Sequence, residues 1–182
     1  ILDVKILALT NDPNSCAKNT VELVIGYEDD PKAIRNLASQ VDVITFEHEH
    51  IKTDIFKALD LAWHPNVDAV RIAQNRGLEK NFFKNLGIPT PAFQVVHSVG
   101  ELQQAVDKIG FPCVLKTVEG GYDGKGQIRV SHASDLPAAW QALQGNATTP
   151  VTCVLEKMLP LAAECSVIVA RGADGHQVHL PV

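Results

Sequence analysis

Ten consecutive residues, Val118-Glu-Gly-Gly-Tyr-Asp-Gly-Lys-Gly-Gln127, hold four of the chain's twelve glycines. An apolar run, Phe111-Pro-Cys-Val-Leu115, leads into them through Lys116, and Ile128-Arg-Val130 follows them. So many residues without a Cβ cannot sustain a regular element, so the stretch is expected to be a loop joining two strands. It lacks the Gly-Lys-Ser/Thr ending of a P-loop and runs into a strand rather than a helix, so neither that motif nor a dinucleotide fingerprint applies. Such a loop has no helix dipole to offer. It can still present successive backbone N–H groups to an anion, and Lys116 and Lys125 would add positive charge. Gly-Gly and Asp-Gly are also common turn pairs, so the loop alone fits a phosphate cradle and a plain surface hairpin equally well.

The bulk properties narrow the field. At 182 residues the chain can build one good core or two small ones, and 46% hydrophobic with 20% charged residues is an ordinary globular balance. The formal net charge of −5 argues against a nucleic-acid or membrane-surface partner, which would demand a basic face. No apolar run approaches the roughly 20 residues needed to span a bilayer, and the opening Ile1-Leu-Asp-Val-Lys5 carries no basic leader. Cys16, Cys113, Cys153 and Cys165 form no Cys-x-x-Cys pair. They are expected to be small buried hydrophobes in a reducing compartment. The single methionine is Met158, and the chain begins in an apolar run, so an internal piece of a longer protein is expected.

The first part alternates strand and helix signals. Residues 4–9, 21–25 and 41–46 read as strands, and residues 31–39 and 54–59 as helices, which implies a parallel α/β sheet. Ligands in such sheets sit at the carboxyl ends of the strands, where Glu47-His-Glu-His50 falls. Two helices, 67–74 and 77–86, follow, with Gly87 ending the second and Pro89 and Pro91 beyond it. Residues 93–96 read as a strand, and Ser98 caps a helix through Ile109 with Glu101 at the capping-box position. Strands at 113–116, 127–130, 151–156, 165–170 and 176–180 surround a helix at 134–143, an α+β pattern of mostly antiparallel order.

Two glutamates stand where a nucleotide would want them. Glu156 ends a strand before an apolar turn, and Glu164 opens the next strand eight residues later. An adenine needs backbone partners at a strand-to-loop hinge, and a ribose needs a carboxylate. Surface glutamates at strand ends are, however, common.

Together these stretches resemble a known family. Leu115-Lys-Thr-Val-Glu-Gly-Gly-Tyr-Asp-Gly-Lys-Gly-Gln127 is similar to the nucleotide lid of ATP-grasp carboxylate–amine ligases, above all those that make 5-(carboxyamino)imidazole ribonucleotide. Val43-Ile-Thr-Phe-Glu-His-Glu-His-Ile51, Ile72-Ala-Gln-Asn-Arg76 with Glu79-Lys80, Leu86-Gly-Ile-Pro-Thr-Pro91 and Glu164-Cys-Ser-Val-Ile-Val-Ala-Arg171 resemble the same family in the same order.

The resemblance implies an incomplete Rossmann-like pre-ATP-grasp domain over 1–62. Linking helices would occupy 63–92, and an ATP-grasp lid with the start of the central domain 93–182. It implies ATP contacts from Arg76 and Lys116. The lid residues Gly121, Tyr122, Asp123, Gly124, Lys125, Gly126 and Gln127 would fold over the phosphates. Glu156, Lys157, Met158 and Leu159 would form the adenine hinge, and Glu164 would hold the ribose. Glu47, Tyr122 and Lys125 would face the aminoimidazole ribonucleotide, with Glu49 as the neighbouring candidate.

The implied chemistry is ATP-dependent carboxylation of that ribonucleotide with bicarbonate, through carboxyphosphate, with Mg²⁺, in a cytoplasmic homodimer of purine biosynthesis. The family's Gly-Gly-Gly-Gln-Leu-Gly-Arg stretch would precede these residues. Its magnesium ligands and substrate-phosphate residues would follow them, so no catalytic residue and no metal ligand is assigned here. Without those parts the piece alone is not expected to turn over. The alternatives are a formate-dependent transformylase or biotin-carboxylase type of ATP-grasp ligase, and a nucleotide-binding module without turnover.

Several features have simpler readings. The two histidines of Glu47-His-Glu-His50 lack a third metal ligand at any recognisable spacing. Trp63 and Trp140 are expected to pack in the core, and Phe82, Phe83 and Leu86 to form a packed helix face. Lys80 lies one turn after Arg76 and reads first as a solvated lysine, with a phosphate contact second.

Overall fold

In the computed structural model, residues 4–121, 126–145 and 148–181 are described. The first part starts with β1 (Leu7–Thr10) and β2 (Glu22–Ile25), which pair in parallel with Leu7 opposite Glu22. Helix α1 (Pro31–Ala38) starts where Asp30 accepts a hydrogen bond from the Lys32 N–H and Pro31 takes the first helical position. It buries Ile34 against a small core of Phe56, Leu59, Trp63 and Val67. Phe56 belongs to α2 (Thr53–Ala58). Its ring stands edge-on to Trp63, and Phe46 stacks on the same indole at 5.0 Å between centroids. The Trp63 indole N–H donates to the Phe56 carbonyl at 3.2 Å.

The strand expected at 41–46 does not form. Only Ile44 makes a bridge, to Trp63, and Val43 is exposed. The apolar alternation there is met by aromatic packing of Phe46 rather than by a ladder.

The second part is built on one antiparallel sheet with strand order β3-β6-β4-β5. The strands are β3 (Phe93–Val96), β4 (Cys113–Thr117), β5 (Gln127–Val130) and β6 (Cys153–Lys157). Side chains alternate across a strand, so the sheet has two chemically different faces. Val96, Cys113, Leu115, Val130, Cys153 and Leu155 point to one face, where α5 (Val99–Ile109) and α6 (Leu136–Gln144) bury them. Ser98 caps α5 by accepting from the Glu101 N–H, while Glu101 accepts from the His97 N–H and not from Ser98. The other face carries Lys116, Gln127, Arg129 and Glu156.

Helix α4 (Arg76–Asn85) reaches that polar face through Lys80, and α3 (Val67–Gln74) packs against α4. Asn75 caps α4 by accepting from the Gly77 and Leu78 N–H groups. Gly77 allows a close approach to β3, since a Cβ there would meet the Val95 side chain at 3.1 Å. Gly87 at φ +72 ends α4 as expected. The packed face expected of this helix is absent: Phe82 and Leu86 are exposed, and Phe83 is only partly covered.

Near the end of the chain, β7 (Val169–Arg171) pairs with β8 (Gln177–His179) in a separate hairpin. The strand expected over 165–170 is thus short, and Glu164 lies outside any strand. No helix among the described residues is long and apolar enough to cross a membrane.

Cys113 and Cys153 are buried, whereas Cys16 and Cys165 are exposed, against the expectation that all four would be buried. Burial pushes the Cys153 thiol up to about 11 and raises that of Cys113 as well. The native state therefore holds these protons more tightly than the unfolded chain. The contribution of Cys153 to stability is complete below the ordinary thiol value of 9.0 and is lost as pH rises from there towards about 11, and that of Cys113 is lost in the same direction. Alkylation at pH 8, read by peptide mass spectrometry, should leave Cys113 and Cys153 unmodified until denaturant is added.

Candidate functional site

The glycine loop grows out of the end of β4, and its neck is held by α4. The Arg76 guanidinium donates to the carbonyls of Thr117 at 2.9 Å and Gly121 at 2.7 Å. The Arg76 N–H donates to Val118, and the Val118 N–H to Thr152. Asn75 adds a bond from its side-chain amide to Glu119. Across the neck, the Thr117 N–H donates to the Gly126 carbonyl at 2.9 Å. Gly126 has φ +71, and a Cβ there would lie 2.8 Å from the Thr117 hydroxyl and 3.2 Å from the Gly121 Cα. Tyr122, Asp123, Gly124 and Lys125 lie outside the described residues.

Beside the neck, the polar sheet face forms the floor of a cavity of about 610 Å³. That is ample for a ligand of nucleotide size. Lys116, Gln127 and Arg129 line it from β4 and β5, Glu156 from β6, and residues 157–161 with Glu164 close one side. Glu156 is 6% exposed. One of its oxygens, Oε2, accepts from Lys80 at 3.1 Å and Lys116 at 3.2 Å. The other, Oε1, is buried without a hydrogen-bond partner among the described residues. A buried carboxylate oxygen left in this state costs free energy that a donor group on a ligand would recover.

The hinge backbone is partly committed. The Lys157 N–H donates to Ala92 and the Met158 N–H to Pro112. The Lys157 ammonium donates to the Phe111 carbonyl at 2.9 Å. Lys157 and Met158 can therefore offer a ligand their carbonyls and side-chain surface rather than these N–H groups.

The structure separates the two glutamates of the Glu-His-Glu-His run. Glu47 lines a cavity of about 660 Å³ with Thr10, Asn11 and Tyr27, near the carboxyl ends of β1 and β2. Glu49 lines a smaller one, about 150 Å³, with Arg76, Gly120 and Gly121. The Gln74 side-chain amide donates to the carbonyls of Glu49 and Ile51, tying this segment to α3. Of the two carboxylates, Glu49 is the one beside the described neck of the glycine loop.

Among the described residues, no group of three or more His, Cys, Asp or Glu side chains is placed to hold a metal ion. Glu156 already faces two ammoniums, which does not suit a cation ligand. The resemblance places the magnesium ligands after these residues, and none of the described side chains is assigned that role.

Sequence reading missed Arg129, and it took Lys80 first as a solvated lysine, whereas the Lys80 side chain is largely buried and pairs with Glu156. Arg129 follows from period-2 alternation, since it shares the face of Gln127 and pairs across β4 with Val114, whose other neighbour is Glu156. Lys80 has no such signal, because its partner lies 76 positions away in the sequence and only the packing of α4 on β3 brings them together.

Glu156→Gln would leave two ammoniums beside a neutral amide. We expect a loss of about 3 kcal/mol or more in urea unfolding. Gly126→Ala forces a left-handed residue against the loop's own backbone and should cost about 1–2 kcal/mol in the same assay.

Comparison with known proteins gives a consistent result. Residues 81–182 match the family described as ATP-grasp domain, and residues 1–74 match the ribonucleotide synthetase preATP-grasp domain. The N5-carboxyaminoimidazole ribonucleotide synthase of Pseudomonas aeruginosa is 38% identical over 172 residues, covering 93% of this chain and 46% of that protein. The enzyme of the same name from Bacillus subtilis is 38% identical over 157 residues, covering 85% of this chain and 40% of that protein. Among solved structures, an ADP complex of N5-carboxyaminoimidazole ribonucleotide synthetase matches with TM-score 0.87 at 34% identity, over 97% of this chain and 46% of the other. The Staphylococcus aureus N5-carboxyaminoimidazole synthetase complexed with ADP matches with TM-score 0.86 at 30% identity, over 97% and 47%. The chain spans about half the length of the curated relatives it matches.

Proposed function

This chain belongs to the ATP-grasp family, and from that premise we propose that the protein carrying it makes N5-carboxyaminoimidazole ribonucleotide from 5-aminoimidazole ribonucleotide, bicarbonate and ATP, releasing ADP and phosphate. The observation that carries this reading is the hinge cavity, where a buried carboxylate with one oxygen unpartnered among the described residues sits beside Lys116, on the strands that lead into and out of the glycine-rich stretch.

In this reading a bicarbonate oxygen attacks the γ-phosphorus of ATP, and ADP leaves. The amine of the ribonucleotide then attacks the carbonyl carbon of carboxyphosphate, phosphate departs, and the nitrogen gives up a proton. Carboxyphosphate is destroyed by water, so a loop that covers it has a chemical purpose.

Lys116 would bind an α-phosphate oxygen, and Gly121 to Gln127 would lie over the phosphate chain. Arg76 would contribute by holding the loop's neck, the role its two backbone contacts support. Residues 156–159 would take the adenine, with Glu156 Oε1 able to accept from an exocyclic amine. Glu164, on the rim of the same cavity, would take the ribose. Tyr122, Lys125 and an acidic group of the first part, Glu47 or Glu49, would meet the ribonucleotide. Magnesium, when bound, supplies charge neutralisation for phosphoryl transfer. We place the protein in the cytoplasm as a homodimer, as the resemblance implies.

Phosphate release by the protein at its natural length, with ATP, Mg²⁺ and bicarbonate, tests the reading. Release should rise on adding 5-aminoimidazole ribonucleotide, and Lys116→Ala should lower it by about 100-fold or more. Stimulation by a different amine or acid instead would overturn the substrate assignment while keeping the nucleotide site.

A further inference from the structure

Two ammoniums share one buried oxygen, and only one is needed to neutralise it. Lys116 and Lys80 reach Glu156 Oε2 from different supports, β4 and α4. Their surroundings differ. The Lys116 side chain is 25% exposed and lines the hinge cavity. The Lys80 side chain is 13% exposed, lies outside the cavity lining and stands over the Phe93 ring at 5.7 Å from its centroid. Phe93 is itself the cross-strand partner of Glu156, so Lys80 is seated on the same pair of residues twice. One turn earlier on the same helix face, Arg76 holds the neck of the glycine loop.

This division has a consequence for ligand binding. A nucleotide phosphate would draw Lys116 away from Glu156, because an ammonium cannot serve two anions at full strength when they stand apart. Were Lys116 the sole counter-ion, its departure would strand a buried charge, which is costly. With Lys80 in place, the carboxylate stays neutralised. We propose that Lys80 is a positioning residue that keeps Glu156 paired and so releases Lys116 to a nucleotide phosphate. This inference rests on the nucleotide reading of the hinge cavity.

The test is calorimetric titration of the protein at its natural length with two probes, ADP and adenosine. Adenosine fills the hinge without offering a phosphate. Lys80→Met should weaken ADP about tenfold and leave adenosine unchanged, while Lys80→Arg should keep ADP affinity near the parent value. In a Glu156→Gln background there is no carboxylate to strand, so Lys80→Met should no longer affect ADP. That double variant has no buried carboxylate whose pairing rests on Lys116 alone. Equal loss of both probes would make Lys80 a packing residue of the hinge and overturn the proposal, as would undiminished ADP binding in Lys80→Met. If the parent protein bound neither probe, the nucleotide reading itself would fall, and this inference with it.

Discussion

The site depends on the placement of one carboxylate. Glu156 sits near the end of the central strand β6, flanked by β3 and β4, with almost no exposure to water. A lone ionised carboxylate there would be prohibitive, and the fold answers with one ammonium from β4 and one from α4. That requirement fixes where α4 must pack. Gly77 and the Asn75 cap let it do so, and from that position Arg76 grips the base of the glycine loop. Charge neutralisation, helix placement and loop anchoring are thus one constraint.

The sheet makes this possible by having two unlike faces. On the face under α5 and α6, Leu102, Leu115, Leu155 and Val96 are fully buried and carry the hydrophobic stabilisation. The polar groups of the opposite face do not have to contribute to folding in the same way. They can keep an oxygen unpartnered among the described residues and an open cavity, which a fully satisfied core would not tolerate.

Much of this was legible in the sequence, and the reasons are local. Asp30-Pro31, Ser98 and Gly87 are caps whose chemistry acts within a few residues, so the helices they bound were found to within two residues. The hairpin around the glycines follows from the missing Cβ atoms alone. What escaped depended on distant partners. The 41–46 run alternates like a strand, but its apolar groups are used to pack Trp63, and no ladder extends beyond Ile44. Residues 165–168 are apolar like a strand, yet they make no sheet pairing and remain exposed. The Lys80–Glu156 pair, and the separation of Glu47 from Glu49 into different cavities, are set by how the helices dock.

The central claim is that the polar sheet face beside the glycine loop is where a nucleotide binds. Hydrogen exchange of the protein at its natural length, with and without ADP, tests it most directly. The account predicts that ADP slows exchange in the segments around residues 116–121 and 157–161 and leaves β1 and β2 unchanged. Protection confined to the cavity at the ends of β1 and β2, or none anywhere, would contradict it.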